Sequence, residues 1–80
     1  MPRNDLPTYA IVELLMRLAA FNHRIGTYKD HRIMGSWVMV KTTGGAVRFP
    51  RSLIMEQFEH PENINDKMLR QTITSFKPAA

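Results

Sequence analysis

The stretch from Pro7 to Ile25 constrains the chain most, because it reads as one helix with more apolar surface than a simple surface helix needs. Good helix formers (Ala, Leu, Met, Glu and Arg) fill it, Pro7 suits a first helical turn, Asp5 and Thr8 are candidate caps, and Gly26 is the stop. At about 100° per residue, Glu13, Arg17, Ala20 and Arg24 share one narrow stripe. Ile11, Val12, Leu14, Leu15, Leu18, Ala19, Phe21 and Ile25 spread over roughly two-thirds of the circumference. Either the remaining residues wrap this helix on more than one side, or part of it is buried against a partner. In the second case Ile11, Leu15 and Leu18 form the interface, and a homodimer is the expected assembly.

The 80 residues predict one domain spanning the whole chain. A chain of that size buries only about 60% of its unfolded surface, so stability is modest and a partner would add to it. There is no cysteine, which excludes disulfides and thiolate zinc sites and fits a reducing compartment. Glu13 and Arg17 interrupt the longest apolar segment, and no charged-then-apolar leader precedes it. The expectation is a cytoplasmic protein with no membrane partner.

The net charge of +4 is unevenly distributed. Arg17, Arg24, Lys29, Arg32, Lys41, Arg48 and Arg51 stand against Asp30 alone between residues 17 and 51, a segment of +6. Glu56, Glu59, Glu62 and Asp66 make residues 56 to 66 an acidic counterpart of −4. Either the two segments neutralise each other within the fold, or the basic middle faces an acidic partner such as nucleic acid.

Residues 1 to 6 read as a short arm whose Arg3 could touch a phosphate. Gly26 to Asp30 reads as a connection, Arg32-Ile33-Met34 as a short strand, and Gly35-Ser36 as a turn or bulge. The clearest local signal is the pair Trp37 to Thr42 and Ala46 to Phe49, β-branched and aromatic runs joined through Thr43-Gly44-Gly45. It predicts a hairpin. An even loop places Val38, Val40 and Thr42 on one face with Val47 and Phe49. A Gly44-Gly45 turn would set Lys41 opposite Arg48, a destabilising like-charge pair. A Thr43-Gly44 turn, or a four-residue loop from Thr42 to Gly45, sets Met39 there instead and is preferred. The outer face then presents Trp37, Met39, Lys41, Arg48 and Ala46, a composition suited to stacking and phosphate contact unless another strand or subunit covers it.

Pro50 ends the hairpin, Ser52 can cap, and Leu53 to Phe58 reads as a short helical turn or irregular packed segment. Asn63 or Asn65 can cap a last helix with Ile64, Met68, Leu69, Thr72, Ile73 and Phe76 on one side, although Thr72-Ile73-Thr74 pulls toward strand. Lys77 to Ala80 reads as a polar tail. The fold class is therefore α+β: an N-terminal helix, an antiparallel β-hairpin or three-stranded sheet, and a C-terminal helix.

His23, His31 and His60 lack the spacing of a helical metal site, and no serine or glycine motif marks a nucleophile or a phosphate loop, so no metal or cofactor is expected. The order of elements, with Gly35-Ser36, Val38 to Val40, Gly44-Gly45, Val47-Arg48-Phe49-Pro50 and Met68 to Ile73, resembles HicA-type toxins, small ribonucleases with a double-stranded-RNA-binding-like fold. The similar segment runs from about Ile11 to Thr72. The resemblance implies an α-β-β-β-α scaffold that binds RNA or protein. It also places Trp37 where that family carries its catalytic His, and an indole neither takes nor gives a proton in RNA cleavage.

Two functional readings fit these features, and a third, a HicA-like ribonuclease, ranks last because its His is missing. In the first, a small basic, regulatory and non-catalytic protein binds RNA or DNA: Arg32, Lys41, Arg48 and Arg51 contact phosphates and Trp37 offers a stacking surface. In the second, a dimeric protein-interaction module, a regulator or inhibitor of the mobile-element type, buries the surplus apolar face of the first helix. Met16, Met34, Met39 and Met55 then supply adaptable contacts.

With Trp37 at the position of the imidazole, the purified protein is expected to leave RNA uncut in the absence of added metal, since general acid–base help is worth about 10²–10⁴-fold. A gel-based cleavage assay checks this. Cleavage abolished by replacing His23, His31 or His60 would place a catalytic site elsewhere.

Overall fold

The structure, a computed structural model, describes residues 6–79, so the expectations for Arg3 and Asp5 lie outside the described residues. The elements run α1 (Thr8–Ala19), β1 (Tyr28–Met34), β2 (Trp37–Thr42), β3 (Gly45–Pro50), α2 (Arg51–Glu59), α3 (Asp66–Ile73) and β4 (Lys77–Pro78). One antiparallel sheet in the order β1-β2-β3-β4 carries the helices on one side, an α+β fold.

Helix α1 starts without a side-chain cap. Pro7, extended at ψ 113°, occupies the N-cap position, and Thr8 is already helical. The helix stops at Ala19, short of the expected Ile25. The Asn22 side chain accepts the Arg24 N–H at 3.1 Å and starts a separate 3-10 turn, His23–Ile25. Asparagine competes in this way with the helical backbone bond. Gly26, at φ +82°, ends that turn.

The apolar arc of α1 is wide because the chain wraps it. Ala10, Ile11, Leu14, Leu15 and Leu18 are buried in one cluster with Val38, Val40, Val47 and Phe49 of the sheet, Leu53 and Ile54 of α2, Leu69 of α3, and Ile64. Ile11, Leu15 and Leu18, expected at an intermolecular interface, are thus enclosed by the protein's own sheet and helices and present no docking surface. Phe21 stays outside the core, with the Arg70 guanidinium 4.8 Å above its ring. Arg17, on the polar stripe, ties α1 to α2 and to the segment between α2 and α3. It donates to Gln57 Oε1 at 2.9 Å and to the carbonyls of Ile64 at 2.7 Å and Pro61 at 3.2 Å, while Gln57, itself buried, donates to Glu13.

The hairpin turns through Thr43-Gly44, with Thr42 opposite Gly45 and Met39 opposite Arg48, the register that avoids the Lys41–Arg48 clash of charge. Strand β1 begins at Tyr28, earlier than expected, with an irregularity at Lys29. The expected polar tail instead supplies β4, which pairs Lys77 with Ala46 and Pro78 with Gly45.

Ser52 lies inside the first turn of α2, whose N-cap position is Pro50, and this helix receives no side-chain cap. Asn65 caps α3 through the Met68 N–H at 3.0 Å. Thr72 and Ile73 are helical despite their strand preference, because burying Leu69 and Thr72 against the core outweighs propensity. Among the described residues no helix is long and apolar enough to cross a membrane.

Gly44 and Gly45 serve more than the turn. A Cβ on Gly44 would overlap the Arg24 carbonyl oxygen, and one on Gly45 the Lys77 carbonyl oxygen. Two chain segments therefore close onto the hairpin there, with Gly44 N–H to Ile25 O at 3.1 Å and Ala79 N–H to Gly44 O at 2.9 Å. Gly44→Ala is expected to lower stability by about 1–3 kcal/mol, the range for forced overpacking. Arg17→Ala should cost about 2 kcal/mol by removing charged hydrogen bonds and stranding their acceptors. Urea unfolding followed by circular dichroism checks both.

Candidate nucleic-acid interface

Strict alternation along β2 and β3 commits Val38, Val40, Thr42, Val47 and Phe49 to the helix side, all buried. Their neighbours must then face the opposite side. Residues directly opposed in an antiparallel pair share a face, so the register defines three rows across the sheet. Met34, Trp37 and Pro50 form one; Arg32, Met39 and Arg48 the next; Asp30, Lys41, Ala46 and Lys77 the third. Trp37 is 42% exposed, and the cations of all three strands and of β4 are exposed.

The Arg48 guanidinium lies 4.5 Å from the Trp37 ring centroid, a cation–π arrangement that holds both planar groups at the surface. Arg32, Lys41 and Lys77 complete a field of four cations around a single carboxylate, Asp30. None of the four has a carboxylate within ion-pair distance among the described residues. Their charge is thus not neutralised by direct pairing with the acidic segment, whose residues belong to α2, α3 and the turn between them. A depression of about 200 Å³, lined by Asp30, His31, Arg32, Met34, Met39 and Lys41, marks the β1 side of this surface.

Four of the five expected contact residues, Arg32, Trp37, Lys41 and Arg48, are brought together on this face. Arg51 is not among them: it opens α2, half-buried, with its backbone N–H on the Ser36 carbonyl at 2.8 Å. Lys77 is the addition that sequence reasoning missed. A two-residue strand carries no periodicity, so nothing local marks it.

The histidines are scattered. His31 sits in β1 opposite Val40, with Nδ1 2.8 Å from the Tyr28 hydroxyl. Burial, and then the nearby Asp30 carboxylate, push the Tyr28 phenol above its usual pKa range, so it remains a neutral partner to the imidazole. His23 lies in the 3-10 turn, and His60 follows α2 with Glu62 at 3.7 Å. Among the described residues no three His, Asp or Glu side chains come together in a metal-binding group. Comparison with protein-family models, with curated proteins and with solved structures finds no match to this chain.

Proposed function

We propose that this protein binds single-stranded nucleic acid across the outer face of its sheet, as a non-catalytic, regulatory module. The observation that carries the reading is the Trp37–Arg48 stack set among Arg32, Lys41 and Lys77 on a solvent-exposed four-stranded surface. A single strand has unstacked bases that an indole or a guanidinium plane can receive, each stack being worth about 1–3 kcal/mol, while cations spaced along the strands meet successive phosphates. Rigid duplex needs a helix or ribbon that enters a groove, and a broad sheet face offers neither. The resemblance to HicA-type toxins supports an RNA-related scaffold, with Trp37 replacing proton transfer by stacking.

A second reading, the dimeric protein-interaction module, is supported by the apolar groups that stay outside. Tyr9 (58% exposed), Met16 (67%) and Phe58 (43%) lie on α1 and α2, with Tyr9 and Phe58 in edge-to-face contact at 5.8 Å. If that patch joins two copies, light scattering on a size-exclusion column gives a dimer at high micromolar protein; a clean monomer removes the idea.

For the nucleic-acid reading, labelled single-stranded RNA and DNA oligonucleotides titrated at several salt concentrations are expected to show binding that weakens with salt. The slope of log K against log salt should be about −3, from four neutralised phosphates on a single strand. Lys41→Glu combined with Arg48→Glu should abolish binding and leave the circular dichroism spectrum unchanged, because both side chains are exposed. Unchanged binding by the folded double mutant would move the site off the sheet.

A further inference from the structure

Beside β3 the outer face drops into a groove of about 520 Å³, within the roughly 300–1,000 Å³ of small-molecule sites. It lies where β4, which pairs only with Gly45 and Ala46, leaves the second half of β3 without a strand neighbour on the edge away from β2. The chain after α3 stands in at one point, where the Ser75 hydroxyl accepts the Arg48 N–H at 2.9 Å. Trp37 and Arg48 line both the groove and the sheet face, so a strand lying on the face passes the groove's mouth.

The lining divides by chemistry. Pro50, Leu53 and Met68 make it apolar on one part, and Ser52, Glu56 and Gln71 add polar groups. Neither the Gln71 amide nor the Ser52 hydroxyl has a hydrogen-bond partner among the described residues. Glu56 engages only Oε2, which accepts from the Asn63 amide at 2.7 Å. A flat ligand with an apolar surface and a hydrogen-bonding edge matches this combination.

We infer that the groove receives one nucleobase splayed from the bound strand, and that guanine is the base it prefers. The inference rests on the single-strand reading of the sheet face. The Trp37–Arg48 stack at the mouth supplies a planar group against which the base can lie. Guanine presents N1–H and N2–H side by side, two donors that a carboxylate such as that of Glu56 accepts together. Its O6 and N7 acceptors suit the donor end of the Gln71 amide. Uracil turns two carbonyl oxygens around a single N–H toward the same carboxylate, and oxygen against oxygen is repulsive. Adenine and cytosine each offer one amino donor beside a ring acceptor, and rank between the two.

Trp37 is the sole tryptophan of the chain, so its fluorescence reports occupancy of both face and groove. The full chain is titrated with a single-stranded pentanucleotide of uridines, with the same strand carrying one central guanine, and with the DNA counterparts. The guanine-containing strand is expected to bind at least about tenfold tighter. Glu56→Gln removes the charge and keeps an acceptor for Asn63; Gln71→Phe fills the groove from an exposed position on α3. Each should abolish the preference, bringing the guanine strand and the uridine strand to equal affinity. Should Gln71→Phe fail to fold by circular dichroism, Glu56→Gln decides alone. Equal affinities for the two strands, or a guanine preference that survives the folded variants, overturn the base pocket and leave the face intact. Absence of binding by every strand overturns both.

Discussion

Enclosing α1 on more than one side is the constraint to which the other elements conform. Ala10, Ile11, Leu14, Leu15 and Leu18 are all buried, leaving Tyr9, Glu13 and Met16 on the solvent side, and each large aliphatic side chain taken out of water contributes about 1.5–3 kcal/mol. The sheet supplies Val38, Val40, Val47 and Phe49 to this cluster, and α2 and α3 supply Leu53, Ile54 and Leu69. Arg17 then binds the far side of α1 to α2 and to the segment before α3, through Gln57 and two backbone carbonyls. All three helices pack on one side of the sheet. Among the described residues no helix covers the other side, and the outer face meets solvent as a direct consequence.

That face is decided by the same alternation that builds the core. A strand has period two, so committing Val38, Val40, Val47 and Phe49 inward commits Trp37, Met39, Lys41 and Arg48 outward, and a one-residue slip would exchange the two sets. The Thr43-Gly44 turn holds the register in which neutral residues separate the cations. Met39 lies between Arg32 and Arg48, and Ala46 between Lys41 and Lys77. Directly opposed like charges are avoided, yet the summed potential stays positive because Asp30 is the lone carboxylate in the three rows. A surface of this kind attracts a polyanion without straining the free protein.

The hairpin, its faces and its register were legible in the sequence because they depend on neighbours a few residues apart. The cap of the last helix was narrowed to Asn63 or Asn65 for the same reason, and the structure has Asn65. The early stop of α1 at Ala19 was not, since it turns on whether the Asn22 side chain takes a backbone N–H that the helix would otherwise use. Gly44-Gly45 read as turn residues, although their lack of Cβ also admits the Arg24 and Lys77 carbonyls, both distant in sequence.

Local composition determined the first helix, the hairpin and the last helix, the separation of apolar from cationic strand faces, and the identity of most of the candidate site. Only the tertiary structure decided that Ile11, Leu15 and Leu18 belong to the core and not to an interface, because an apolar arc records a demand for partners without saying whose atoms meet it. It likewise decided that Lys77 joins the cationic face, that Arg51 leaves it for α2, and that a groove opens beside β3. Each of these depends on pairing between residues far apart in the chain, where loop closure and packing choose among partners that local propensity leaves equivalent.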